Sequence, residues 1–274
     1  MILLVASNKD AASLNIKEQI LATTTNRATS DRFQGNTAYE IELANENVRL
    51  VTLEEEAVYA QNIADSFPNA ELVVFTSRHS SLSGTPTLSV HAPGNIGEAK
   101  LGGLPRTVSV SPANAMREAL RTMTKWKNEM QLDYEVCYEG THHGPCLNVP
   151  TMFAELGSSP KQWKDTRAAE VVAHAALEAL SGFRKPSVRA VLGIGGPHYN
   201  SKFTKAALEG DMAFGHIIPK YAVSNVDSLV LEQCVKRTLE KVEAAVLDWK
   251  GIKGEDKPKV LGLIENIRIE AERI

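Results

Sequence analysis

The chain has 274 residues, with 30 Lys and Arg against 33 Asp and Glu, giving a formal net charge of −3 at pH 7. That balance excludes the broad basic coat of a protein that wraps DNA or lies on an anionic membrane, while leaving room for a local basic groove. Hydrophobic residues at 43% and charged residues at 23% exclude a disordered chain and fit a globular protein able to bury a large core.

The first apolar run, Ile2 to Ala6, reads as a buried strand, because it is too short and lacks the basic flank of a signal peptide. A helix follows over 11–23. Tyr39–Leu43 and Val48–Leu53 alternate with period two around Asn45-Glu46-Asn47, so they read as a hairpin. Leu72–Phe75 is a short strand preceded by a helix that ends near Phe67-Pro68. Ser111-Pro112 supplies an N-cap and an N1 proline for a helix carrying Ala115, Met116, Ala119, Leu120 and Met123. Tyr134–Glu139 and Val149–Glu155 read as a strand pair, and Ser159-Pro160 as the start of the helix containing Val171, Val172 and Leu180. Val188–Ile194 is a further strand, Val226–Trp249 a long amphipathic helix, and Lys250–Lys259 an exposed loop. Alternating strands and helices predict an α/β fold, a three-layer α/β/α arrangement with a mixed sheet. With no repeat or linker, residues 1–274 read as a single domain, with or without a subsidiary lobe. Three cysteines without a CxxC pair suggest a reduced, cytoplasmic setting, and no segment approaches the roughly 18 apolar residues of a membrane span.

Six of the seven histidines lie in short motifs that contain Gly, Pro or Ser. These are Ser77-Arg78-His79-Ser80-Ser81, His91-Ala92-Pro93-Gly94, Thr141-His142-His143-Gly144-Pro145, Gly195-Gly196-Pro197-His198-Tyr199 and Phe214-Gly215-His216. His174 alone lies in a helical pattern, where a packed or solvated role fits. Loops at strand ends are where α/β proteins assemble sites. Any one loop histidine is best explained by a bond to backbone, but the set points to convergence. On that reading His79, His142, His143 and His198 bind zinc with an open position, lowering the pKa of a bound water to about 7. His142 and His143 both reach one metal only if the following turn re-aims the chain; otherwise one supports the other. Glu139 is a candidate carboxylate behind the ligands.

Gly195-Gly196 lacks the spacing of a phosphate loop, yet its amides suit an oxyanion hole as well as a tight turn. Ser201 is expected to cap a helix carrying Lys202 and Lys205. Lys202, Lys205, Lys220 and Arg106 are the candidates for phosphate contacts, although each alone is explained by a solvated surface charge. A nucleophilic Ser77, Ser80 or Ser81 has no GxSxG elbow behind it, and Cys146 reads as a buried structural thiol.

Together, Ser77–Ser81, Thr141–Pro145, Gly195–Tyr199 and Phe214–Tyr221 resemble the archaeal and plant D-aminoacyl-tRNA deacylase family, the second structural type of that activity. The opening strand and His91–Asn95 extend the resemblance over nearly the whole chain. It implies a phosphorylase/hydrolase-like fold related in shape to peptidyl-tRNA hydrolase. It also implies hydrolysis of the ester joining a D-amino acid to the terminal adenosine of tRNA, a proofreading and recycling role, with glycine mischarged on alanine tRNA as a second substrate. Two zinc ions per subunit and a monomer follow from the same resemblance, with the tRNA acceptor end as partner and neither DNA nor membrane. Catalytic positions on this chain are then His79, His142 and His143, with Gly195 and Gly196 meeting the oxyanion. Two rivals use the same features: a peptidyl-tRNA-hydrolase-like or nucleoside phosphorylase activity on the same fold, and a non-enzymatic tRNA-end-binding zinc protein.

Overall fold

The computed structural model describes residues 1–43, 46–185 and 188–274. Strand β1 (Ile2–Ser7) leads into helix α1 (Ala11–Thr23), which Asp10 caps by accepting from the amides of Ala12 and Ser13. Strands β2 (Asn26–Phe33), β3 (Asn36–Leu43) and β4 (Glu46–Leu53) form an antiparallel meander, and β4 returns parallel beside β1. The β3–β4 pair is the expected hairpin; Asn45 of its connection lies outside the described residues. Next come α2 (Ile63–Ser66), β5 (Leu72–Arg78), β6 (Thr87–His91), the short pair β7 (Gly94–Asn95) and β8 (Thr107–Val108), and α3 (Ala113–Glu129). They are followed by β9 (Glu135–Glu139), β10 (Thr151–Gly157), α4 (Pro160–Trp163), α5 (Thr166–Arg184), β11 (Arg189–Ile194) and β12 (Tyr199–Asn200). The chain ends through α6 (Ser201–Glu209), β13 (Met212–Ile218), α7 (Ser228–Lys236), β14 (Val242–Leu247), α8 (Lys257–Ile267) and β15 (Glu270–Arg273).

The mixed α/β architecture is present, divided between two sheets. Nine strands run in the order β12-β9-β6-β10-β5-β1-β4-β3-β2, with both parallel and antiparallel pairs. Four run in the order β13-β11-β14-β15, all parallel. Period-two patterning sorts the side chains. Ile2, Leu4, Val74, Val90 and Ala154 face α1, α3 and α5, whereas Leu3, Val5, Phe75 and Phe153 face a second cluster closed by Ala57, Ile63 and Phe67. In the smaller sheet Val191, Ala244 and Val246 join the first core, while Leu192, Ile194, Ala245 and Leu247 pack against α7 and α8.

Local expectations change at five places. Val226–Trp249 is helix α7 followed by strand β14, because Leu239 bonds back to Ser111 and Val242–Leu247 is buried in the parallel sheet. A short run, apolar apart from the exposed Glu243, fits a buried strand as well as a helix. At α3 the cap is Glu240, whose carboxylate accepts from the amides of Ala113 and Asn114, each at 2.9 Å; the Ser111 hydroxyl makes no such bond. Ser159 caps only the four-residue α4, and Asp165 starts α5 afresh. The two expected partner strands, β9 and β10, are separated by β6. Lys250–Lys259 holds two short 3₁₀ turns and the start of α8 rather than an open loop.

Candidate active site

The larger sheet turns from apolar to polar along one face. Phe75, Ser77 and His79 alternate on β5 and its end, Phe153 and Glu155 on β10, Ser89 and His91 on β6, and Cys137 and Glu139 on β9. Register sets Glu155 beside Ser77 on one side and Ser89 on the other, and pairs Phe153 with His91. Half of the site therefore rises from a sheet face rather than from loops. The rest arrives on two loops. Thr141–Gly144 follows β9, and the carbonyls of His142 and His143 accept from the Gly94 amide of the His91 loop. His198 precedes β12, with its carbonyl bonded to the Gly140 amide.

The consecutive histidines do point the same way. His143 adopts a left-handed backbone with φ of 43°, a conformation uncommon outside glycine, and brings its ring within 4.2 Å of His142. Ring centroids of His91 lie 4.3 Å from His142 and 4.8 Å from His143, and His198 lies 4.5 Å from His142. His142 Nδ1 sits 2.9 Å from the Gly140 carbonyl and His143 Nδ1 2.7 Å from the Gly144 carbonyl. Each Nδ1 must then carry the proton and donate, so each Nε2 keeps a free lone pair.

Two carboxylates, both almost fully buried, tie the set together. Glu139 contacts His198 Nε2 at 2.9 Å, His79 Nδ1 at 3.1 Å and His142 Nε2 at 3.8 Å. Glu155 accepts from the Ser77 hydroxyl at 2.6 Å and faces His91 Nε2 at 3.5 Å and His79 Nδ1 at 3.7 Å. Burial alone would raise both carboxyls. Bonds to His198 and His79 instead hold Glu139 well below the usual carboxylate range. Glu155, which Glu139 also pushes upward, is pulled down to about 2 by His79 and His91. Burial works against the charged form of His79, yet Glu139 and Glu155 lift it to about 10. Burial and the neighbouring imidazoles push His142 well down and His143 to about 4. Two protonation regimes thus sit side by side: an imidazolium held by carboxylates and a neutral histidine pair.

This donor set fits a borderline divalent ion. Three overlapping groups bring their ligand atoms within 4.8 Å of one another: His91, His142 and His143; Glu139, His142 and His198; and His79, Glu139 and Glu155. His79 Nε2 and both nitrogens of His91 are buried without a hydrogen-bond partner, so these ring nitrogens have lone pairs or protons left for a ligand. Mixed imidazole and carboxylate ligands are those zinc takes.

Of the sequence candidates, His79, His142, His143 and His198 are brought together. His91, which the sequence placed in the motif set without naming it a ligand, joins them, and so does Glu155, unforeseen but legible as a lone carboxylate in the apolar run Met152–Leu156. Gly195 and Gly196 are not free to meet an oxyanion. Their amides are committed to the carbonyls of Ile218 at 2.8 Å and Gly251 at 3.0 Å, and both adopt the positive φ of a tight turn. Lys202 is held by buried Asp248 at 2.7 Å and by the Ile274 carbonyl, and Lys205 pairs with Glu209. Asn200, not Ser201, caps α6. Lys220 is exposed next to Tyr221, and Arg106 lines a cleft beside His142 and His143. Ser77 is bonded to Glu155, Cys146 is buried with its thiol 3.0 Å from the Thr107 carbonyl, and His174 stacks on Trp126 at 3.9 Å.

A family model described as D-aminoacyl-tRNA deacylase matches residues 66–272, a span that contains every histidine and carboxylate of the cluster. The chain belongs to the D-aminoacyl-tRNA deacylase family. The D-aminoacyl-tRNA deacylase of Thermococcus onnurineus is 36% identical over 276 residues, covering 98% of each chain. That of Methanosarcina mazei is 37% identical, covering 97% of this chain and 90% of its own. Among solved structures, a conserved protein of unknown function superposes with a TM-score of 0.88 at 30% identity, over 100% of this chain and 95% of the other. That superposition extends over both sheets of this chain.

Proposed function

We propose that this protein hydrolyses the ester linking a D-amino acid to the 3′-terminal adenosine of tRNA, and that glycine mischarged on alanine tRNA is a further substrate. The observation that carries the reading is the buried histidine–carboxylate cluster at the floor of a cleft of about 340 Å³, within a member of the deacylase family. Ester hydrolysis needs an activated water, a met oxyanion and a protonated ribose leaving group.

The chain's own residues suit those tasks. His142 and His143 are neutral near pH 7 and present unprotonated Nε2 atoms, so they can ligate a metal or take a proton from water. Glu139 fixes the orientation of His79 and His198 at once, and Glu155 does so for His79 and His91. The Trp163 indole donates to the His79 carbonyl at 2.9 Å, so α4 holds that histidine's backbone in place. The donor set fits two zinc ions: one would be held by Glu139, Glu155 and His79 once that imidazole gives up its proton, the other by His91, His142 and His143, with His198 oriented by Glu139. Bound zinc would supply a water of pKa near 7 and polarise the ester carbonyl. Among the described residues no helix is long and apolar enough to cross a membrane. We take the protein to be a cytoplasmic monomer acting as one unit over residues 1–274.

The test is deacylation of matched D- and L-tyrosyl-tRNA, before and after metal removal and zinc restoration. Selective loss of the D-ester, abolished by chelation and restored by zinc, is expected. No turnover of either ester by the zinc-loaded protein would overturn the assignment.

A further inference from the structure

Two clefts meet at His142 and His143, and their charges differ. The cleft of about 340 Å³ is lined by Asp10, Glu56, Glu139 and Glu155 against one arginine, Arg78. Arg78 is itself engaged by Glu56 at 2.7 Å and Asp10 at 3.8 Å. With Glu139 and Glu155 engaged by His79, His91 and the metal assigned to them, Asp10 and Glu56 are the carboxylates that remain to meet an ammonium group. The cleft of about 530 Å³ on the other side of the histidines is lined by Lys100 and Arg106 against Glu98. Its cations are loosely held. Lys100 pairs with Glu98 at 3.6 Å, both largely exposed, and Arg106 with exposed Asp227. Exposed pairs of this kind are worth little and yield to a phosphate. Arg106 is also steadied by the Asn225 carbonyl at 3.3 Å, which leaves further N–H donors on its guanidinium.

Tyr221 lines the larger cleft and is 59% exposed, so its ring is open to a ligand there. Its hydroxyl is anchored to His198 Nδ1 at 3.1 Å, so the ring is placed at the edge of the histidine cluster without being covered. An anchored, uncovered aromatic beside cations is the arrangement on which a nucleobase stacks.

Resting on the ester-hydrolase reading above, we propose that the larger cleft receives the 3′-terminal nucleotide of tRNA, its base on Tyr221 and its phosphate beside Arg106 and Lys100. The scissile ester then crosses His142 and His143, and the amino acid enters the acidic cleft with its ammonium toward Asp10 and Glu56.

Binding is measured by titrating deacylated tRNA into the wild type, Tyr221→Ala and Tyr221→Phe, alongside the same tRNA trimmed of its terminal adenosine. Intact tRNA is expected to bind Tyr221→Ala about tenfold more weakly than the wild type, whereas Tyr221→Phe keeps the affinity. Trimmed tRNA is expected to bind the wild type and Tyr221→Ala alike. Equal binding of intact tRNA by the wild type and Tyr221→Ala overturns the assignment. So does the same loss with trimmed tRNA, which would put the contact elsewhere on the tRNA, and so does a loss in Tyr221→Phe as large as in Tyr221→Ala. None of these readings depends on turnover, so failure of D-ester hydrolysis in the wild type would sink the functional reading separately.

Discussion

Lowering the pH tests how firmly the fold holds His216 neutral beneath the Thr141–His142 loop. His216 is fully buried, with Nε2 3.1 Å from the Ser109 carbonyl and Nδ1 3.1 Å from the Thr141 hydroxyl, which itself accepts from the Ile217 amide. Nε2 therefore carries the proton, and a second one on Nδ1 would reverse the bond to Thr141, whose hydroxyl would have to turn its own proton elsewhere. Burial lowers the group from 6.5 to about 4, with a smaller push from the Arg237 charge; bonds to backbone only partly offset this. Because the folded value is depressed, the unfolded chain binds the proton first. His216's contribution is complete above a pH of about 6.5 and is lost as pH falls toward about 4. Between about pH 7.5 and about pH 5 the loss works out at about 2 kcal/mol from this residue. Urea denaturation of metal-free wild type and His216→Gln at both pH values isolates it, since every other titrating group is common to the two. The wild type should lose about 2 kcal/mol more than the variant on acidification. Equal losses, within about 0.5 kcal/mol, would refute the neutral, buried assignment.

At Glu240 the change to Ala removes the acceptor for two amides at the start of α3, and should cost about 1–2 kcal/mol in the same denaturation assay. Gly196→Ala places a Cβ 2.4 Å from the Asn200 amide nitrogen at a φ of 76°. It should lower stability by about 1–3 kcal/mol while kcat/KM for the D-ester, measured well below the new Tm, stays at the wild-type value. A large fall in kcat/KM would return the Gly196 amide to the chemistry. Glu139→Gln should weaken zinc binding by about 10–100-fold in competition with a chromophoric chelator. In the metal-free protein NMR should find the His79 pKa well below that of the wild type, because the carboxylate 3.1 Å from its Nδ1 is gone. An unchanged His79 titration would show that Glu155 suffices.

Much of the framework was readable from local pattern. The opening strand, α1, the β3–β4 hairpin and the body of α3 and α5 follow from period-two and period-3.6 apolar spacing, which chain-local sterics and burial enforce. Most of the motif histidines were readable as a set that gathers at one site, although His216, inside β13 and bonded to the Ser109 carbonyl, serves the core. Where a segment's partner was remote, local pattern gave out. Whether Val242–Leu247 is helix or strand depends on β11 lying beside it. Which group caps α3 depends on Glu240, 127 residues away in sequence from Ala113.

The active cluster shows the same division. Sequence by itself determined which donors exist and that His79, His142, His143 and His198 sit on loops at strand ends. Tertiary structure alone decided that His91 and Glu155 belong with them, since β-sheet register, not sequence distance, puts Phe153 opposite His91 and Glu155 opposite Ser77. It also decided that Gly195 and Gly196 do not belong, because hydrogen bonds to Ile218 and Gly251 had already claimed their amides. A backbone N–H has one proton to give, and only the folded chain shows where it goes.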